Sequence, residues 1–266
     1  MTGASSGIGA DIARELADRG HGVTLVARRK DRLRELADEL AGRGSNVEVI
    51  ACDVADSAAR AGLFDQVEHR GLTADILVNN AGIGTIGSVT KTAVDDEIAQ
   101  VRVNVEAVID LTTRAVQQMV PRERGAILNV GSTAGYHPFP GQVGYAATKA
   151  FVKTYTEGLR GELAGTGVTV ALLVPGPVRT EFLKNAGMDE RTFADAFPKF
   201  LWMASRDVAR TGVDALEGDR GTVIAGLPSR ISARLFQFMP RRLLLPLLAS
   251  QHPGLKRDLG RDRSAS

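Results

Sequence analysis

Six short apolar runs alternating with helical stretches constrain this 266-residue chain more than any other feature. The runs are Gly22–Val26, Val47–Cys52, Asp75–Val78, Ala126–Val130, Val168–Val174 and Thr222–Ala225. Several are apolar at consecutive positions, as in parallel strands covered on both faces. Between them, periodicity predicts helices over Ile8–Arg19, Lys30–Ala41, Ser57–His69, Asp95–Met119, Gly144–Leu163 and Arg206–Glu217. Repeated β-then-α order predicts a doubly wound α/β fold built on a parallel sheet. With no repeat, linker or low-complexity segment, one domain over residues 1–228 is expected, followed by a C-terminal extension over 229–266.

The formal net charge is only +2, which gives no global field for nucleic acid. Residues 229–263 alone carry +6, so the basic excess belongs to the extension. Its Leu, Phe and Arg residues, interrupted by Pro240 and Pro246, predict short amphipathic helices. No apolar run reaches the ~18 residues of a spanning helix, and the opening residues lack a leader-like apolar stretch, so a cytoplasmic protein is expected. The single cysteine, Cys52, excludes an internal disulfide and reads as a buried apolar residue. No metal site is expected.

Gly3, Gly7 and Gly9 stand just before the first amphipathic stretch. Glycines let backbone N–H groups approach a pyrophosphate, and the helix start adds a favourable dipole. After the run Gly22–Val26, Arg28 stands where NAD-preferring folds carry an acid for the ribose 2′-hydroxyl, with Arg29 beside it. Cations at a helix start oppose the dipole, which favours a 2′-phosphate role and hence NADP(H) over NAD(H). Tyr145 and Lys149 lie four apart on a helical stretch and share a face. A free tyrosine titrates near 10, too high for an efficient base, and a nearby ammonium favours the phenolate. Ser132 ends a strand, where open α/β sheets place ligands, and can hydrogen-bond a substrate oxygen as charge develops.

The run TGASSGIG at Thr2–Gly9 resembles the cofactor loop of the short-chain dehydrogenase/reductase family. Over residues 2–226 that family's further motifs follow in order: NNAG at Asn79–Gly82, Asn104, Ser132, Tyr145 with Lys149, and PGPVRT at Pro175–Thr180. The resemblance implies a Rossmann-like domain and hydride transfer between NADP(H) and a carbonyl or alcohol carbon. Gly3, Ser5, Ser6, Gly7, Ile8 and Gly9 would cradle the cofactor, with Arg28 and Arg29 at its 2′ end. Asp53 and the Val54 backbone would meet the adenine, although a helix-capping or turn role for Asp53 stays open. Asn80, Ala81 and Gly82 would line the adenine ribose, and Pro175, Gly176, Val178 and Thr180 the carboxamide. Tyr145 would exchange the proton, Lys149 would tune it and hold ribose hydroxyls, Ser132 would bind the substrate oxygen, and Asn104 would anchor a water in the relay.

One departure is plain: the family's first strand lies centrally in the sheet and precedes this loop, yet only Met1 stands before Thr2. A late recorded start or a truncation is expected from that. The segment from Phe182 to Met203, with Leu183, Met188, Phe193, Phe197, Phe200, Leu201 and Trp202, corresponds to a lid and fits either a hydrophobic acyl, lipid or steroid-like substrate or simple packing. His137, Pro138 and Phe139 are expected beside the substrate. The stretch 229–250 fits peripheral contact with an anionic membrane, cover for the lid, or a dimer contact. By resemblance, a homodimer or homotetramer is expected. The rival readings are a catalytically silent NADP(H)-sensing protein on the same fold and an inactive fragment.

Overall fold

The computed structural model describes residues 1–187, 199–252, 254 and 255. Chain order runs α1 (Gly7–Asp18), β1 (Val23–Ala27), α2 (Lys30–Ala41), β2 (Val47–Ala51), α3 (Ser57–Ala61), α4 (Leu63–Glu68), β3 (Ile76–Asn79) and α5 (Val94–Val101). It continues with α6 (Ala107–Met119), β4 (Gly125–Val130), α7 (Val143–Glu162), β5 (Val168–Val174), α8 (Phe182–Asn185), α9 (Ser205–Glu217), β6 (Thr222–Ile224), α10 (Leu227–Phe238) and α11 (Arg241–Gln251). Every strand pairing is parallel.

The sheet has two parts, β1–β2 and β3–β4–β5–β6. Between them lies the place of the expected first strand. Met1 and Thr2 bridge that seam: Val26 N donates to Met1 O at 2.9 Å, and Thr2 N donates to Val78 O at 2.9 Å. The Met1 amino group donates to Thr24 O at 2.7 Å. Thr2 Oγ1 also accepts from Asn80 N and Ala81 N, both at 3.1 Å, so the seam and the first turn of the glycine loop are tied to β3.

Alternate strand residues feed two cores, which explains the unbroken apolar runs. Val23, Leu25 and Ala27 of β1 pack with Ile12, Leu16, Leu33 and Leu36 of α1 and α2 and with Val208 and Val213 of α9. Val26 faces the other way, among Phe64, Leu111, Met119 and Ile127. Burying each such large side chain contributes roughly 1.5–3 kcal/mol. Cys52 is buried in this second core.

Buried side chains also form a polar ladder. Asn79 Nδ2 donates to Thr112 Oγ1 and to Asn129 Oδ1, both at 2.9 Å. Asn129 Nδ2 donates to Thr156 Oγ1 at 2.9 Å, and that hydroxyl donates to Val152 O at 2.6 Å. The ladder joins β3 and β4 to α6 on one side and α7 on the other.

Three details differ from the sequence reading. The helix expected over Ser57–His69 breaks at Gly62 into α3 and α4; Asp56 caps the first through Ala58 N and Ala59 N. The stretch Asp95–Met119 is helical throughout, but Arg102–Glu106 forms a π-helical turn. Pro240 separates α10 from α11 as expected, whereas Pro246 sits inside α11 instead of breaking it. No helix among the described residues is long and apolar enough to cross a membrane.

Candidate active site

A cleft of about 1370 Å³ runs along the C-terminal ends of the strands. The glycine loop forms one wall. Gly3 and Gly7 take φ of +66° and +56°, a region side chains rarely adopt. A Cβ on Gly9 would stand 2.2 Å from Gly3 O, and one on Gly3 would stand 2.6 Å from Asn80 Nδ2. The loop is therefore folded backbone against backbone, with Asn80 Nδ2 holding Gly3 O at 3.1 Å. Thr180 leans on Gly7 from across the cleft, where its Cγ2 lies 3.0 Å from the place of a Cβ. Ser5, Ser6 and Ile8 complete this wall.

At the far end, Arg29 binds the loop itself. Its guanidinium donates to Ser5 Oγ at 3.0 Å and Ser6 Oγ at 2.8 Å, and pairs with Glu181 at 2.8 Å. Arg28 is open to solvent and sits 3.9 Å from Asp53. Asp53 Oδ1 accepts from Ala55 N at 3.0 Å, so it also makes the turn that leaves β2. Val54 O receives Arg60 at 2.6 Å while its side chain is buried beneath the cleft. These groups fit a nicotinamide dinucleotide phosphate: a side-chain-free cradle for a pyrophosphate, and two guanidinium groups beyond it.

The other wall carries the reacting groups. Tyr145 and Lys149 occupy the first turns of α7, and Ser132 follows β4. Ser132 hydrogen-bonds the Tyr145 phenol. Its own Oγ accepts from Ala134 N at 3.1 Å, which fixes its rotamer. Thr133 N donates to Pro175 O at 2.9 Å, joining this turn to the Pro175–Thr180 segment. Lys149 is buried and donates to Val130 O at 2.8 Å, with its ammonium 5.8 Å from the Tyr145 ring centre. Gly82 lies beside it: a Cβ there would be 3.4 Å from Lys149 Nζ and from Asn104 Oδ1. Ala81 lines the same stretch.

The acidities correct one expectation. Burial pushes the Tyr145 phenol up to about 12, and the Ser132 hydrogen bond only partly opposes it. Burial also pulls Lys149 down to about 8. The ammonium donates to the Val130 carbonyl, and burial is the leading cause of both shifts. As it stands, Tyr145 is a proton holder and Lys149 a weak cation.

Asn104 sits in the π-helical turn with its side chain fully engaged. It accepts from Ile83 N at 2.9 Å and donates to Ile83 O at 2.8 Å and Thr148 Oγ1 at 2.9 Å. Thr148 Oγ1 in turn donates to Tyr145 O at 2.8 Å. Asn104 thus fixes the NNAG loop to α7, and π-turns recur at such functional positions.

At the substrate end, residues expected there meet others that sequence reasoning does not place in the site: Gly84, Ser229, Phe236 and His252. Phe182 packs on Tyr145 with ring centres 5.2 Å apart, and Gly84 has no room for a Cβ between the two rings. Phe236 from α10 meets His137 edge-on at 5.3 Å; His137 meets Phe139 at 5.6 Å, and Phe139 meets His252 at 5.4 Å. Ser229 is buried, its Oγ against Gly176 and without a hydrogen-bond partner among the described residues. Val178 bridges to Met203. Of the expected lid residues, Phe182, Leu183, Phe200 and Leu201 line the cleft, while Trp202 stacks under Arg179 at 5.6 Å. Met188, Phe193 and Phe197 lie outside the described residues.

Residues 1–191 match the family model described as short chain dehydrogenase. The chain is 33% identical over 231 residues to the NADP-dependent 3-hydroxy acid dehydrogenase YdfG of Escherichia coli K12, covering 82% of this chain and 92% of that protein. A short-chain dehydrogenase from Sphingobium yanoikuyae, solved in complex with NADPH, superposes with a TM-score of 0.79 at 31% identity, covering 91% and 95% of the two chains. A structure described in a study of 7beta-hydroxysteroid dehydrogenase stereoselectivity gives 0.82 at 25% identity, over 93% and 94%. The chain belongs to the short-chain dehydrogenase/reductase family.

Proposed function

We propose that this protein is an NADP(H)-dependent oxidoreductase interconverting a carbonyl and an alcohol on a largely apolar substrate. The observation that carries this reading is one continuous cleft with the glycine loop on one wall and Ser132, Tyr145 and Lys149 on the other. A relative named as NADP-dependent and a neighbour solved with NADPH support the cofactor. Bound there, the nicotinamide supplies or accepts the hydride. Gly3, Ser5, Ser6, Gly7, Ile8 and Gly9 would hold its pyrophosphate, Arg28 and Arg29 its 2′-phosphate, Asp53, Val54, Asn80, Ala81 and Gly82 its adenosine, and Pro175, Gly176, Val178 and Thr180 its carboxamide.

In the reducing direction, the Ser132 hydroxyl holds the substrate oxygen as negative charge grows, and Tyr145 delivers its proton there. A phenol held near 12 keeps that proton until an alkoxide forms. Lys149 then acts as positioning residue and cation. Apolar side chains at the substrate end, namely Ile83, Phe182, Leu201, Phe236 and Leu248, favour a hydrophobic group on the substrate. Exposed Val94, Ile98 and Val101 on α5 and Ile109 on α6 support self-association through those helices.

The test is NADPH oxidation, followed by absorbance, over a panel of aldehydes, ketones and acyl thioesters. Tyr145→Phe should retain NADPH binding and lose about 10²–10⁴-fold in turnover. NADPH binding with no turnover on any carbonyl would instead support the silent sensor.

A further inference from the structure

The C-terminal pair of helices presents its apolar side to the wrong place for a simple cover. Each residue of a helix turns about 100°. On α10, Ser229 and Ala233 are buried against the body of the protein, so these define the inward face. Leu227, Ile231, Leu235 and Phe238 fall on the opposite side and are 65%, 58%, 57% and 81% exposed. On α11, Leu243 and Leu247 are also exposed, while Leu244 is fully buried.

Arg230 and Arg234 flank this stripe on α10, and Arg241 and Arg242 open α11; all four are exposed. None forms an ion pair among the described residues, and no Asp or Glu occurs between Arg220 and Arg257. Two arginines at the positive end of α11 oppose its dipole, so they do not serve the helix's own stability. Apolar and cationic side chains on one outward face suit a surface that is both hydrocarbon and anionic. A second copy of the chain fits poorly, because a two-fold contact would set four arginines against four with no carboxylate between.

We propose that the outward face of α10 and α11 docks on an anionic lipid bilayer. Leu227, Ile231, Leu235 and Leu248 also border the cleft, so docking would open the cleft mouth onto the lipid. The docking rests on the exposed face; its use for substrate entry rests on the apolar-substrate reading above.

Sedimentation of the full chain with phosphatidylcholine vesicles, with and without phosphatidylglycerol, tests this without any turnover. Binding should need the anionic lipid and weaken with salt. Each neutralised arginine, as in Arg230→Ser or Arg234→Ser, should reduce it about fivefold. Leu235→Glu with Phe238→Glu should abolish it while circular dichroism shows the fold unchanged. Equal recovery in the supernatant with both vesicle types would overturn the proposal. So would a dimer in size-exclusion chromatography that Leu235→Glu dissolves, since a second copy would then occupy the face. NADPH turnover measured without vesicles reports separately on the catalytic reading.

Discussion

The two ends of the cleft are built by different means. At the nucleotide end, one short glycine loop does the work through its close-packed backbone, braced by the side chains of Asn80 and Arg29. At the substrate end, side chains from distant segments meet: Phe182 from α8, Phe139 from a loop, Phe236 from α10 and Leu248 from α11. The first end tolerates almost no added atom; the second is a surface of exchangeable apolar groups. A cofactor common to a family and a substrate particular to each member would produce this division.

The sharpest break of that comparison is Gly9→Ala. With Gly3 O only 2.2 Å from the new methyl, the loop must move, and NADPH binding should weaken on the order of 100-fold. Titration by fluorescence measures it, and unchanged affinity would mean the loop is not the cradle.

Lys149, between the ends, gives a pH signature. Its ordinary value is 10.5 and its folded value about 8, so between these the unfolded chain binds more protons. Stability therefore rises with pH across that window, and the contribution is lost as pH falls through 8. Tyr145, shifted the opposite way, adds stability below 10 that is lost between 10 and about 12; it overlaps only the top of the lysine window and cancels when two proteins that both keep Tyr145 are compared. In Lys149→Met the lysine increment disappears. The wild-type stability relative to the variant should thus climb by about 3 kcal/mol across the window, read from urea denaturation.

Arg29→Ala should weaken NADPH about tenfold, or 1.4 kcal/mol, and leave NADH nearly unchanged. An equal loss for both would mean Arg29 only holds the loop through Ser5 and Ser6. The smallest effect belongs to the exchangeable end. Phe236→Ala should raise KM for a bulky ketone about fivefold, roughly 1 kcal/mol, with kcat little altered.

The same division governs what the sequence makes legible. The α/β order and the glycine loop follow from local pattern, since strand runs and helix periods are read within a few turns. The π-helical turn at Arg102–Glu106 is invisible because its neighbours are helical too. Likewise Pro246 stays helical inside α11. The spacing of Tyr145 and Lys149 reveals a neighbouring ammonium but not the burial that raises the phenol. Phe182 against Tyr145 depends on folding 37 positions apart in the chain, and no local signal marks it.

The ladder of Asn79, Asn129, Thr112 and Thr156 works like a key in its slot. Grease-like packing alone would let α7 roll a few degrees about its axis, since many apolar settings are nearly equal in energy. Directional amide and hydroxyl groups accept one setting. The aim of two side chains at the helix's start is thus decided by a lock two to three turns further along the same face of α7, beneath the sheet's buried amides.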